Sequence, residues 1–260
     1  MHVMKHLLIA IGLGVCLVPV TSAAGESEHL LVPSAQGGAL SVLMPSGAAE
    51  SGQGPVTFSW ETALASKYLF QGIDYSSGNP VAQPELSLEY RKFSLTSWFN
   101  FDLDERHVDE IDLLFAYGWE LGHLSVTPGY ARYRYPNRGW DPSQEVYLDL
   151  SYATLADLSL STHYDFDAGK GTYFTLGLRR DVETSVGAFG VGSNLFYQRN
   201  YYEMSGIPSL EFTASYSGSI RSVSVTPSLS YFATWDNADF AGQSAIPKKW
   251  LVSVTIGQSY

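Results

Sequence analysis

Residues 111–121 read Ile111-Asp112-Leu113-Leu114-Phe115-Ala116-Tyr117-Gly118-Trp119-Glu120-Leu121, with a large apolar side chain at every second place. Successive side chains of a strand point to opposite faces, so this stretch predicts a strand with one greasy face and one of small or polar groups. The same period runs through Phe93, Leu95, Phe99 and Phe101, through Val146, Leu148, Leu150 and Tyr152, and through Leu158, Leu160, Thr162, Tyr164 and Phe166. It returns in Val223, Val225, Leu229, Tyr231, Ala233 and Trp235. Segments of this kind fall near 56–72, 81–91, 92–103, 108–121, 123–135, 144–154, 157–166, 171–182, 186–199, 207–217, 220–235 and 248–260. That is an even count of 12, as closed antiparallel barrels of bacterial type have. Arg91-Lys92, Gly122-His123, Leu155-Ala156, Thr184-Ser185 and Gly218-Ser219 read as tight turns, and Asp74–Pro80, Pro136–Pro142 and Asp236–Pro247 as longer outer loops.

Composition selects among β architectures. Aromatic residues make up 14% of the 260 residues, and charged residues only 16%, against about 25% in soluble domains. Yet no apolar run after Val20 exceeds the five residues Leu113 to Tyr117, far short of a spanning helix. A sheet rolled shut, polar within and apolar toward lipid, reconciles the two. The predicted fold is an all-β, transmembrane antiparallel up-and-down barrel over residues 55–260. The excess of 26 acidic over 15 basic side chains, a net charge of −11, argues against nucleic acid as a partner.

Residues 1–24 read as a cleaved signal peptide: Lys5 and His6, an apolar core from Leu7 to Val20, then small residues through Ala24. The expected destination is the outer membrane of a Gram-negative bacterium. Cys16, the only cysteine, lies in that core, and bulky Val15 before it disfavours a lipid anchor. Residues 25–54 are rich in Gly, Ser, Ala and Pro and read either as a flexible periplasmic segment or as a small plug. At the other end, Trp250, Val252, Val254 and Ile256 alternate toward Tyr260, a pattern similar to the signal read by the barrel assembly machinery.

Side chains opposite the greasy face are expected inside. The pore-lining set is Glu61, Glu85, Asn100, Asp102, Glu110, Asp112, Arg132, Arg134, Glu145, Asp149, Arg179 and Arg199. Glu89, Glu120, His163, Asp165, Asp181, Asn194, Gln198 and Glu211 share that parity. A base placed in lipid near the midplane costs about 2–4 kcal/mol, which favours the inward choice. The expectation is a narrow, mixed-charge aqueous path for small polar solutes or ions, with acids of the third and fourth strands facing Arg132, Arg134 and Arg179. The alternative is a closed barrel whose charges pair and whose loops meet a partner, since a count of 12 lies between filled eight-stranded barrels and open porins. Trp60, Trp119, Tyr147, Trp235, Trp250 and Tyr260 are expected in the girdles that meet membrane lipid and lipopolysaccharide. Asp102, Asp104, Glu105, Asp109 and Glu110 read as a solvated acidic loop, or as oxygen ligands for a divalent cation.

No catalytic residue, metal site or cofactor is expected. His29, His107, His123 and His163 lack zinc spacing, and no Gly-x-Ser-x-Gly elbow occurs. His163 and Asp165 take the inward parity, wrong for attack on a membrane lipid. Gly169-Lys170-Gly171-Thr172 reads as a hairpin turn rather than a phosphate loop.

One region goes beyond pattern. Ser66-Lys67-Tyr68-Leu69-Phe70-Gln71-Gly72-Ile73, followed by Gly78-Asn79-Pro80-Val81 and Gln83, resembles the opening strand and first loop of the proteobacterial TorF family of porin-like proteins. That family shows Asp-Tyr-x-Phe-Arg-Gly and then Pro-x-x-Gln. Tyr133-Arg134-Tyr135-Pro136-Asn137 is similar to its Tyr-x-Tyr-Pro-Gly element, and Glu145-Val146-Tyr147 to its Glu-x-Tyr strand. Lys67 stands where Asp is usual and Gln71 where Arg is usual. The resemblance covers most of 62–152 and implies a small outer-membrane channel without naming a solute.

Overall fold

The computed structural model describes residues 56–234 and 249–260. The expected leader, the 25–54 segment, Trp235 and the Asp236–Pro247 loop lie outside the described residues. Twelve strands build the wall: β1 Val56–Ala65, β2 Val81–Tyr90, β3 Phe93–Asp102, β4 His107–Tyr117, β5 Leu124–Arg134 and β6 Ser143–Tyr152, then β7 Asp157–Asp165, β8 Gly171–Thr184, β9 Gly187–Tyr201, β10 Ser209–Ile220, β11 Val223–Thr234 and β12 Lys249–Ser259. Past Gly118, β4 resumes as Trp119–Leu121, paired to β5. Each strand pairs antiparallel with its sequence neighbours, and β12 returns to β1 with Ala63 opposite Thr255, so the sheet is closed. Closure leaves no edge, and every wall strand finds backbone partners on both sides.

The usual arrangement of a soluble core is inverted. On β4, Leu113 and Phe115 are 48% and 49% exposed on the outer face, while Asp112, Leu114 and Ala116 between them are buried inside. On β2, Leu86 and Leu88 face out while Glu85 and Ser87 face in. The apolar period of the sequence therefore marks the outside of the barrel.

Tight connections at 91–92, 122–123, 153–156, 185–186 and 221–222 lie on one rim, and the longer connections on the other. The last of these turns differs from the expected Gly218-Ser219. Gly218 stays in β10 opposite Val225, close under the Tyr216 ring, and the reversal comes at Arg221, whose φ is 60°. A second difference is larger: β1 ends at Ala65 rather than 72, because the chain there leaves the wall and turns inward.

Gly129 on β5 lies directly opposite Tyr147 on β6, whose ring folds over it so closely that a Cβ would sit 2.1 Å from Cζ. That ring is held on its other side by stacking on His163 at 5.0 Å, so it has little room to yield. Gly129→Ala is expected to cost about 1–3 kcal/mol by overpacking, read as a lower urea midpoint for the folded, heat-modifiable gel band. An unchanged midpoint would mean the ring moves freely.

Candidate functional site

The 66–80 connection crosses the lumen. Leu69–Phe70 and Ile73–Asp74 pair as a short ribbon around Gln71 and Gly72, whose φ values of 51° and 85° are those of a primed hairpin turn. Leu69 is wholly buried in an apolar cluster with Phe196, Phe232, Leu251, Val81 and Ala65, all facing in from the wall. Phe70 meets Tyr173 on β8 edge-on at 5.6 Å and Tyr201 on β9 at 6.2 Å. The Ser209 hydroxyl donates to the Gln71 carbonyl at 2.8 Å, and the side chains of Gln198 and Gln71 bond at 2.6 Å. Lys249 pairs with Asp74 at 3.4 Å. The loop thus reaches from β1 to strands nearly opposite and is latched there.

Beneath it lies a hub on Glu145, which is 0% exposed. Its Oε2 accepts from the hydroxyls of Tyr133 at 2.9 Å and Tyr173 at 3.2 Å and lies 3.0 Å from His163 Nδ1; its Oε1 accepts from Tyr201 at 3.2 Å. His163 is sandwiched between the rings of Tyr147 and Tyr173. Its Nε2 is 3.0 Å from Ser161 Oγ, which also bonds Asp149. Ser161, His163 and Glu145 follow the order of nucleophile, base and orienting acid. β7 is paired on both sides along its length, so its own amides are committed to the sheet. The arrangement orders the wall by hydrogen bonding.

The structure brings Glu61, Glu85, Asn100, Asp102, Glu110, Asp112, Glu145, Asp149 and Arg179 to the inner face. Arg132, Arg134 and Arg199 are not there. All three are exposed and stand on the outer face, in line with Tyr130 and Tyr197. The physical reason is twofold: Tyr133 and Gln198 already occupy the inward parity beside them, and all three lie toward the loop rim, where the penalty for a base falls to about 0–1 kcal/mol. Arg179 grips Asp181 through both carboxylate oxygens at 2.7 and 2.8 Å. Of the three arginines expected to oppose the acids, Arg132 and Arg134 thus stand outside, and Arg179 faces in but is paired with Asp181.

Tyr147, expected at the membrane interface, points inward and is buried on His163; it shares parity with Glu145 and Asp149. Trp60, Trp119, Trp250 and Tyr260 stand on the outer face. The acidic loop is also redistributed. Asp102 turns in to accept the amides of Asp104 and Glu105, and Asp109, extruded by a bulge opposite Asn100 and Phe101, pairs with Arg138.

Between the crossing loop and the wall is a cavity of about 950 Å³. Among the described residues, Glu61, Glu85, Glu110, Asp112, Asp141 and Asp167 line it, with Lys170 as the one basic residue. Aromatic rings link its wall to its mouth: Trp98 to Tyr68 at 5.7 Å, Tyr68 to Tyr75 at 5.8 Å, Tyr75 to Trp140 at 5.4 Å, and Trp140 to Tyr135 at 5.3 Å. In the loops, burial first and nearby Glu110 second push the phenols of Tyr75 and Tyr135 above their ordinary value, and burial pushes Tyr202 up to about 12. These phenols keep their protons at neutral pH and can donate.

Sequence reading missed the crossing loop, though its signal is present: a Gln-Gly pair flanked by Leu-Phe and Ile is a hairpin in miniature. The stretches singled out by resemblance converge here, with Tyr68, Gln83, Tyr133 and Tyr135 on the cavity and Phe70 reaching Tyr173 across it.

A closed antiparallel ring, apolar outside and polar within, with one loop folded across its lumen, defines the class of outer-membrane β-barrels. The chain belongs to a family of bacterial proteins of unknown function, Gcw_chp, whose model matches residues 49–180. No curated protein matches the sequence. Among solved structures the chain is similar to the NanC porin, with a TM-score of 0.54 and 11% identity over 77% of this chain and 98% of that one. It is similar also to the KdgM porin, with 0.51 and 10% over 78% and 99%. An outer-membrane channel from Pseudomonas putida F1 gives 0.51 and 10% over 82% and 98%. At such identities the likeness is one of fold.

Proposed function

We propose that the protein is a narrow, non-enzymatic outer-membrane channel for small polar solutes, and that it favours cations. The observation that carries this reading is the acidic cavity beside the crossing loop, lined among the described residues by six carboxylates and one lysine. A low-dielectric wall bearing one sign of charge concentrates ions of the other. The TorF resemblance and the porin fold support a channel; the cation preference rests on the inward carboxylates and on the outward course of Arg132, Arg134 and Arg199. In this reading the long-loop rim faces outward from the cell, and those arginines meet lipopolysaccharide phosphates. A cleaved leader delivers the chain, and the strand ending at Tyr260 serves assembly. The second reading, a closed barrel presenting its loops, is favoured by the complete burial of Leu69 and Gln71 in the lumen.

Planar-bilayer recording of the refolded protein separates the two. Discrete conductance steps are expected, with a reversal potential across a KCl gradient that favours potassium. A silent bilayer would support the closed barrel, and a chloride-favouring potential would overturn the selectivity.

A further inference from the structure

One row of inward side chains runs directly across adjacent strands. Glu61 on β1 pairs in register with Glu85 on β2, Glu85 with Trp98 on β3, Trp98 with Asp112 on β4, and Asp112 with Tyr133 on β5. All five line the cavity. Two features of the row are unfavourable for the protein's own groups. Like charges directly opposite on one face of a sheet repel, and Glu61 faces Glu85. Asp112 is 2% exposed, and its Oδ1 has no hydrogen-bond partner among the described residues. A buried carboxylate oxygen without a donor is costly.

The neighbouring acids do not share that condition. Glu145 is held by three tyrosines and lies against His163, Asp109 by Arg138 and Asn100, and Glu110 by the Tyr68 hydroxyl. Arg138 is engaged, and Lys170 makes no ion pair within 4.0 Å among the described residues. Among the described acids lining the cavity, Asp112 is thus the one whose buried oxygen lacks a donor, and it lies between two aromatic side chains that are its cross-strand neighbours.

We infer that this row is a binding site for a small organic cation with N–H donors and an apolar body, an alkyl- or arylammonium. The ammonium donates to Asp112 and screens Glu61 from Glu85, while the carbon body packs on Trp98 and Tyr133, whose faces also attract the charge. A bare metal ion fits less well: no group of three or more His, Cys, Asp or Glu among the described residues is placed to hold one. A neutral sugar would use the rings but would leave the two glutamates repelling each other. The inference rests on the proposed channel for the ligand's route of entry, but equilibrium binding in detergent does not depend on conduction.

The test uses the refolded full chain in detergent, titrated with 2-phenylethylammonium, with 2-phenylethanol and phenylacetate as neutral and anionic probes of the same shape. Binding is read by calorimetry and by the fluorescence of the tryptophans. Saturable binding of the ammonium is expected, at least about tenfold tighter than the alcohol, with none for the carboxylate. Asp112→Asn, nearly isosteric, is expected to weaken it by about tenfold or more, while Glu89→Gln, on the inner face but off the cavity lining, leaves it unchanged. Folding of each variant is checked by gel mobility with and without boiling. If Asp112→Asn unfolds, Glu85→Gln serves in its place and is expected to weaken binding as well. Equal affinity for ammonium and alcohol, no saturable binding, or an affinity indifferent to the substitutions would overturn the inference. Conduction without such binding would refute the site and leave the channel standing; binding without conduction would do the reverse.

Discussion

If the barrel conducts as proposed, excising Leu69–Asp74 and joining Tyr68 to Tyr75 through two glycines is expected to raise single-channel conductance by about threefold or more, because the loop crosses the lumen and occupies space that ions would use. The cut is structurally mild: Tyr75 N already donates to the Tyr68 carbonyl at 2.9 Å, so the ends to be joined are adjacent and the wall strands are untouched. What is lost is the apolar anchor of Leu69 against Phe196, Phe232 and Leu251 and the latch of Gln71 on Gln198 and Ser209. Gly72→Val tests the same point without a deletion. At φ 85° a branched side chain is strained, and its Cβ would stand 2.8 Å from Ser209 Oγ, so the turn cannot dock as it does. A smaller rise in conductance with noisier open states is expected. Conductance unaltered by both changes would mean that ions pass by a route the loop does not restrict.

The second large effect is on stability. Glu145→Ala removes the acceptor shared by Tyr133, Tyr173 and Tyr201 and the partner of His163 Nδ1, leaving buried donors without acceptors. Each such group costs about 1–3 kcal/mol, relieved in part by water, so a total loss of about 3–5 kcal/mol is expected. Glu145→Gln keeps one carbonyl acceptor and the shape of the side chain and is expected to lose roughly half as much. Urea titration of the folded gel band reads both. A stable Glu145→Ala barrel would show that the tyrosines are held by packing alone.

The wall was legible in the sequence and the inside only in part, for a physical reason. The outer face is selected by one property, apolarity, repeated with period two, so residues such as Phe115 and Leu229 declare it without ambiguity. The inner face is selected by mutual contact. Tyr147 reads as a girdle aromatic by composition, yet its parity with Glu145 and Asp149 places it against His163. Arg199 next to Gln198 shows the same limit: both are polar, only one can face in, and the choice is settled by Gln198 meeting Gln71 from the crossing loop. No local rule carries that contact across 127 residues of chain. The loop itself was hidden because Leu69 and Phe70 prolong the apolar pattern of β1, while the turn that redirects them needs only Gln71 and Gly72.

All of this depends on which way the two faces of the sheet point. Nitroxide labels placed one at a time at positions 111 to 117, in a Cys16→Ser background and reconstituted in liposomes, report that directly through collisions with oxygen, which concentrates in lipid, and with a water-soluble nickel chelate. The expected profile alternates, with high oxygen contact at Ile111, Leu113, Phe115 and Tyr117 and low contact at Asp112, Leu114 and Ala116, where the chelate gains instead. A flat profile, a period near 3.6, or lipid contact at Leu114 rather than Phe115 would contradict it.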